Sequence, residues 1–360
     1  NGGMISGNKT GVMNTAGGTL NVTGTAIFNG NHVAIDNDAY LNVTGTKDAL
    51  IQFTRNTTSL VNNTSGTGTL TFADIDGTGA VNTQGIVVNN GTVTFENSLI
   101  HGHQSSADGA AIIVNGGILN LIKDTRVHDN TAAQGGAIYQ TAGKVYIDQS
   151  AVYANGNAIY LTSGRMDILN STIAGNRTGY AITSAGTLYL VNSTVGQNNF
   201  GGIKITGGDT YILNSIVVDN GADNINGTFT GKYSYISDDG SNIFDGAFDA
   251  AKGYIPLIKN LTINTALSTG VLFAKYGDSY AYNLKAGADG SEWRDLDGNT
   301  VTVQESDILR YDQTGAERKY QKVDGENYLY VAGATTVTNE YIVTVGGDGA
   351  TGDTLRNVLE

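Results

Sequence analysis

Four histidines, a few acidic residues and many threonines and tyrosines are the side chains here that could carry chemistry. His101 and His103 would share one face if their stretch is extended, and His128 lies one repeat further on. His32 stands apart. A metal site needs three or four ligands in a fixed geometry, so a patch of exposed turn histidines is the expectation and no cofactor is assigned. Asp129, Asp148 and Asp167 are the carboxylates that a polysaccharide-cleaving site would need to converge. They occupy different points of the repeat and read as turn or solvated residues, so no enzyme and no catalytic residue is expected. Asp295-Leu296-Asp297-Gly298-Asn299 matches the opening of a calcium loop. Its sixth place is Thr300 rather than glycine and its twelfth is Ser306 rather than glutamate, so it reads as a turn.

Threonine runs such as Thr64 to Thr71 raise the question of a flat ice-binding array. Only Thr23 with Thr44, and Thr25 with Thr46, align by their spacing. The sequons Asn170-Ser171-Thr172 and Asn192-Ser193-Thr194 arise from the repeat itself. Tyr139, Tyr146, Tyr160, Tyr189 and Tyr211 are expected to be exposed, either stacking on sugars or partners or forming ladders along one sheet.

The elements that must position these side chains are written most clearly between residues 135 and 220. Ile138, Ile159, Ile182 and Ile203 follow one another at steps of 21, 23 and 21 residues. Between them lie alternating runs: Val145-Tyr146-Ile147, Met166-Asp167-Ile168, Leu188-Tyr189-Leu190 and Tyr211-Ile212-Leu213. A third apolar position always precedes an asparagine by three residues, ending at Asn130, Asn155, Asn176, Asn198 and Asn220. Three short strands and three polar turns in about 22 residues define one coil of a solenoid. Alternation puts one face of each strand inward, and stacked coils bury what one coil cannot. The expected fold is all-β: a right-handed, single-stranded parallel β-helix. Its isoleucines form a core ladder and its asparagines an amide ladder at one corner.

Residues 1–235 read as about ten such coils of 21 to 26 residues. Leu20-Asn21-Val22-Thr23 returns as Leu41-Asn42-Val43-Thr44, and Leu70-Thr71-Phe72-Ala73 is paired by similarity with Val93-Thr94-Phe95-Glu96. Ile86 and Ile112 lead to Ile138 by steps of 26. Residues 236–339, with the lone proline and tryptophan, are expected to be irregular coils covering the last rung. With 50 glycines, no cysteine, a net charge of −13 and only 20 Lys and Arg, disulfides, thiol catalysis and nucleic-acid binding are excluded as readings. No apolar run reaches the roughly 18 residues of a membrane span.

Gly135-Gly136-Ala137-Ile138, with the apolar-x-x-Asn steps at 152–155 and 173–176, resembles the repeats of bacterial polymorphic outer-membrane and autotransporter-type surface proteins. Asp312-Gln313-Thr314-Gly315-Ala316-Glu317-Arg318, followed by Gly333-Ala334, is similar to the closing motif of large secreted β-helix proteins. Most steps carry Val or Ile where that repeat has phenylalanine. The resemblance spans roughly residues 80–335. It implies export to the bacterial cell surface and structural or adhesive use, with a glycan or surface protein as a possible ligand of a side face. The tail 340–360, with Tyr341, Ile342, Val343, Thr344, Leu355 and Arg356, resembles the start of such a β-helix, cap strand and short helix, although it stands at the C-terminus. Asn1 by contrast opens inside a rung. The two ends together lead to the expectation that the tail caps the first rung of the next copy, giving a head-to-tail homopolymer. The plainer expectation is that it begins a following domain.

Overall fold

A computed structural model describes residues 2–63, 66–213, 215–232, 234–238 and 241–242. Further on it describes residues 261–263, 274–276, 293–294, 300–301, 312–313, 315, 320–324, 327–330 and 333–334. The described residues up to 238 wind into three parallel sheets that share every coil in turn. The first sheet begins with Gly3–Ser6 and Ala26–Asn29 and continues through Arg126–His128, Ala151–Tyr153 and Thr172–Ala174 to Tyr235–Asp238. The second runs from Thr10–Asn14 through Ile138–Gln140 and Ile159–Leu161 to Ile225–Asn226. The third runs from Thr19–Thr23 through Lys144–Asp148 to Thr230–Lys232. In each sheet every third strand in sequence is the neighbour, so the chain is an all-β parallel solenoid of about ten coils. At about 4.8 Å per rung its axis is roughly 48 Å long.

Alternation explains the core. Ile112, Ile138, Ile159, Ile182 and Ile203 are successive register partners in the second sheet, and all face inward. Phe28 and Phe53 stack at 4.7 Å in the first sheet. Leu119, Val145, Met166 and Leu188 continue the third. One continuous apolar cluster therefore runs along the axis.

Among the described residues, three largely buried polar ladders run along the corners. At the first, each asparagine accepts from the rung before it. Asn130 N–H and Nδ2 both donate to Asn155 Oδ1 at 3.0 Å, and Asn155 donates in the same way to Asn176. The series continues through Asn198 to Asn220. The amides also donate backwards to carbonyls, as Asn155 does to Val127. The residue before each ladder asparagine must take left-handed angles, which is why Asp129, Ala154, Gln197 and Asp219 have φ near 54°. Asn8, Asn31 and Asn56 carry the same device in the first coils.

The second corner has Asn14, Asn37 and Asn62, linked at 2.7 and 2.8 Å. The third is a serine ladder: the N–H of Ser150, Ser171, Ser193 and Ser215 donates to the hydroxyl of the next serine, ending at Ser234. The two sequons hold Ser171 and Ser193 of this ladder, and Asn170, Asn192, Ser171 and Ser193 are all buried.

Two expectations about register change. Leu70 pairs with Phe95 and Thr71 with Glu96, a step of 25 rather than the 23 that residue types indicate. The turn between them is two residues longer, and Phe72 sits at a corner with φ 53° instead of in the core. The threonine alignment also extends further than spacing shows: Thr44 pairs with Thr71, Thr67 with Thr92 and Thr69 with Thr94. From residue 236 on, only short pieces of the stretch expected to cover the last rung are among the described residues. The first sheet ends where Tyr235–Asp238 turns back on Ser241–Asn242 as an antiparallel pair. Asp312, Gln313 and Ala334 of that stretch bond to the side of the rod. The tail residues Tyr341, Ile342, Val343, Thr344, Leu355 and Arg356 lie outside the described residues, as do Asp295 to Asn299.

Candidate functional site

Three of the four histidines gather where the first sheet meets its asparagine corner. His101 and His128 are register partners, and their rings stack at 5.0 Å and 3°. Tyr153 stacks on His128 at 4.8 Å, so one outward column reads Asp76, His101, His128, Tyr153. Asp74 lies 2.9 Å from His101 Nε2 and Asp76 lies 3.7 Å from Nδ1. Burial disfavours the His101 imidazolium, but the hydrogen bond and charge of Asp74, backed by Asp76 and Asp129, outweigh it and raise the pKa above its ordinary value. Burial pushes His128 the other way; the Asp129 hydrogen bond opposes this, and the charges of His101 and Arg126 add to it. The column thus favours one imidazolium stacked on a neutral imidazole. Among the described residues no three His, Cys, Asp or Glu are grouped to hold a metal ion.

His103 departs from the expected exposed patch. Gly102, at φ 72°, turns the chain between the two histidines, so His103 enters the corner and is fully buried. It stands at the position of a ladder asparagine: its N–H donates to Asn130 Oδ1 at 3.0 Å. Its Nε2 lies 3.3 Å from the Ile75 carbonyl, the bond that Asn130 makes to Ile100 and Asn155 to Val127. Nδ1 faces the Thr83 hydroxyl at 3.2 Å. Donation from Nε2 and acceptance at Nδ1 suit the neutral ring. The ring needs room that asparagine does not. Gly77 and Gly85 supply it, since a Cβ at either would approach the imidazole within 2.5 and 2.7 Å. Burial lowers the His103 pKa to about 4. His32 is exposed in the second coil.

The three candidate carboxylates do not converge. Asp129 sits at the first corner and accepts from Arg177. Asp148 and Asp167 lie on the third sheet, where Asp167 pairs with Arg165 at 2.8 Å between the register positions of Tyr146 and Tyr189. Of the tyrosines expected to be exposed, Tyr189 is 4% exposed. It stacks on Tyr211 at 4.8 Å, with the Arg165 guanidinium 4.4 Å from its centroid. Tyr139 and Tyr160 stack at 5.9 Å on the second sheet. These are ladders, whose rings spend their faces on each other.

Sequence reasoning missed a lateral clamp. Gln313 is buried on the outer face of the first sheet, accepting from the Thr172 hydroxyl at 2.6 Å and donating to the Ser150 carbonyl at 2.9 Å. Gln149 donates to the Asp312 carbonyl, and the Ala334 N–H donates to Thr194. Gln313 N–H and the Ala334 carbonyl join the two pieces at 2.8 Å. Small outward residues, Ala151, Ala174 and Gly196, leave the space. Gln313→Ala is expected to weaken this docking by about 1–3 kcal/mol, because the buried Thr172 hydroxyl loses its acceptor and the Ser150 carbonyl keeps only the Thr172 N–H. Limited proteolysis should then remove the stretch beyond residue 242 faster. An unchanged digestion rate would contradict the clamp.

A family model described as a right handed beta helix region matches residues 60–222. No curated protein and no solved structure matches the chain. The matched stretch covers the coils from the third onwards. It supports the fold and its handedness and carries no activity.

Proposed function

We propose that this β-helix is an extracellular structural or adhesive module of the bacterial cell surface, a rod that stacks head to tail on copies of itself. The observation that carries the reading is the rod itself: in three parallel sheets each coil pairs in register with the next, and one apolar cluster runs along the axis. A rung of this kind joins a further strand through the same backbone bonds that join its own coils. The alternating β-branched run Tyr341-Ile342-Val343-Thr344 has the chemistry to supply it. Joining the tail of one copy to the first rung of the next is a heterologous contact, which extends into a filament.

Negative-stain microscopy of the full chain beside a chain ending at Asn339 tests this. Fibres from the first and single rods from the second are expected. Single rods from both would contradict self-assembly. The other reading, a side face that binds a glycan, is favoured by a particular cluster on the second sheet.

A further inference from the structure

The outward column of the second sheet runs Ile113, Tyr139, Tyr160, Thr183, Lys204, Asn226. Beside its C-terminal end, Tyr180 pairs in register with Gly201. A Cβ on Gly201 would come within 2.5 Å of the Tyr180 ring, so the glycine lets the ring lie against the backbone of the next rung. Phe200 meets Tyr180 edge-on at 5.3 Å and 80°, and is 51% exposed. Lys204 Nζ lies 5.7 Å from the Tyr180 centroid. The Tyr180 hydroxyl donates to Asp223 Oδ2, and Asn226 Nδ2 donates to the same oxygen at 3.0 Å. Those two hydrogen bonds, Asn226 first, hold the Asp223 carboxyl below its ordinary pKa and therefore charged at neutral pH.

We propose that this cluster is a binding site for a neutral oligosaccharide. A pyranose offers a flat C–H face to an aromatic ring and a rim of hydroxyls that both donate and accept. The cluster offers the matching set: two rings, a fixed carboxylate, an amide and an ammonium around one rung step. Among the described residues Asp223 Oδ1, Asn226 Oδ1 and Lys204 Nζ make no hydrogen bond or ion pair to the protein, Lys204 meeting only the Tyr180 ring. The single ammonium stands beside a carboxylate on a chain of net charge −13, which disfavours an acidic glycan. Two rings give too little apolar area for a protein interface of roughly 800 Å² per partner. The site deepens the side-face reading and does not depend on end-to-end stacking.

Titration of the full chain with maltohexaose, cellohexaose and chitohexaose, followed by calorimetry and saturation-transfer NMR, tests it. At least one should bind saturably, with Phe200→Ala and Asp223→Asn each weakening it by about tenfold. Both substitutions are at the surface and should leave the melting temperature unchanged. No binding by any of the three at millimolar concentration would overturn the proposal. So would binding that both variants retain in full, or binding confined to an acidic hexasaccharide. Fibre formation, read separately by microscopy, distinguishes this failure from failure of the stacking proposal.

Discussion

Lowering the pH from about 7.5 to about 5 is expected to cost the rod about 2 kcal/mol through His103 alone, rising to about 3 kcal/mol near pH 4. The sign follows from the direction of the shift. The folded pKa is lowered to about 4, below the ordinary value of 6.5, so the unfolded chain binds the extra proton first. Stability from the neutral ring is complete above about pH 6.5 and is lost as the pH falls through the window between the two values. His103 has His101 and Asp76 as its charged neighbours. His128, also lowered, adds to the loss. His101, raised by Asp74 and Asp76, is stabilising when protonated and offsets part of it. His103→Asn isolates the effect, because asparagine restores the ladder type and does not titrate. Its urea midpoint should move far less between about pH 7.5 and pH 5 than that of the parent. Equal shifts in both proteins would remove His103 from the account of acid sensitivity.

Asn155→Ala should destabilise by roughly 3–5 kcal/mol, the largest effect of any single polar substitution in the rod. Asn155 Oδ1 takes both the N–H and the Nδ2 of Asn130, and its own Nδ2 serves the Val127 and Tyr153 carbonyls. All of these residues are buried, so alanine takes the side-chain acceptor from the Asn130 N–H, leaves Asn130 Nδ2 only the Ile100 carbonyl, and removes a donor from the Val127 and Tyr153 carbonyls. Asn89→Ala is the control. Asn89 Nδ2 donates to Asn63 Oδ1 at 3.0 Å in a ladder of the same chemistry, but at an exposed corner. Its loss should stay within about 0.5 kcal/mol. Comparable losses at the two sites would mean that the ladder bond, rather than its burial, sets the stability.

The parts of this design legible in the sequence are those repeated at constant spacing. Ile138 to Ile203 and Asn130 to Asn220 reveal both a core ladder and an amide ladder because the turns between them hardly change in length. Where turn length varies, residue similarity misleads: Phe72 resembles Phe95, yet one lies in a corner and the other in the core. The serine ladder was written plainly at 150, 171, 193 and 215, but Asn-Ser-Thr has a second meaning as a sequon, and burial alone decides between them. His103 is recognisable as a ladder residue only once the strands at 101 and 128 are aligned, since side-chain type differs. Gln313 meets Thr172 across 141 residues, with no period to announce it. Tyr180, Phe200 and Asp223 come from three successive turns that share no repeated motif.

Backbone hydrogen exchange tests most directly the claim that polar corners lock the rungs in register. The N–H groups of Asn130, Asn155, Asn176, Ser150, Ser171 and Ser193 lie in turns, yet each donates to a buried side-chain oxygen of the next rung. They are expected to exchange as slowly as the adjoining strand amides of Ile138 and Ile159. Exchange at the rate of exposed turns, with the strands still protected, would contradict it.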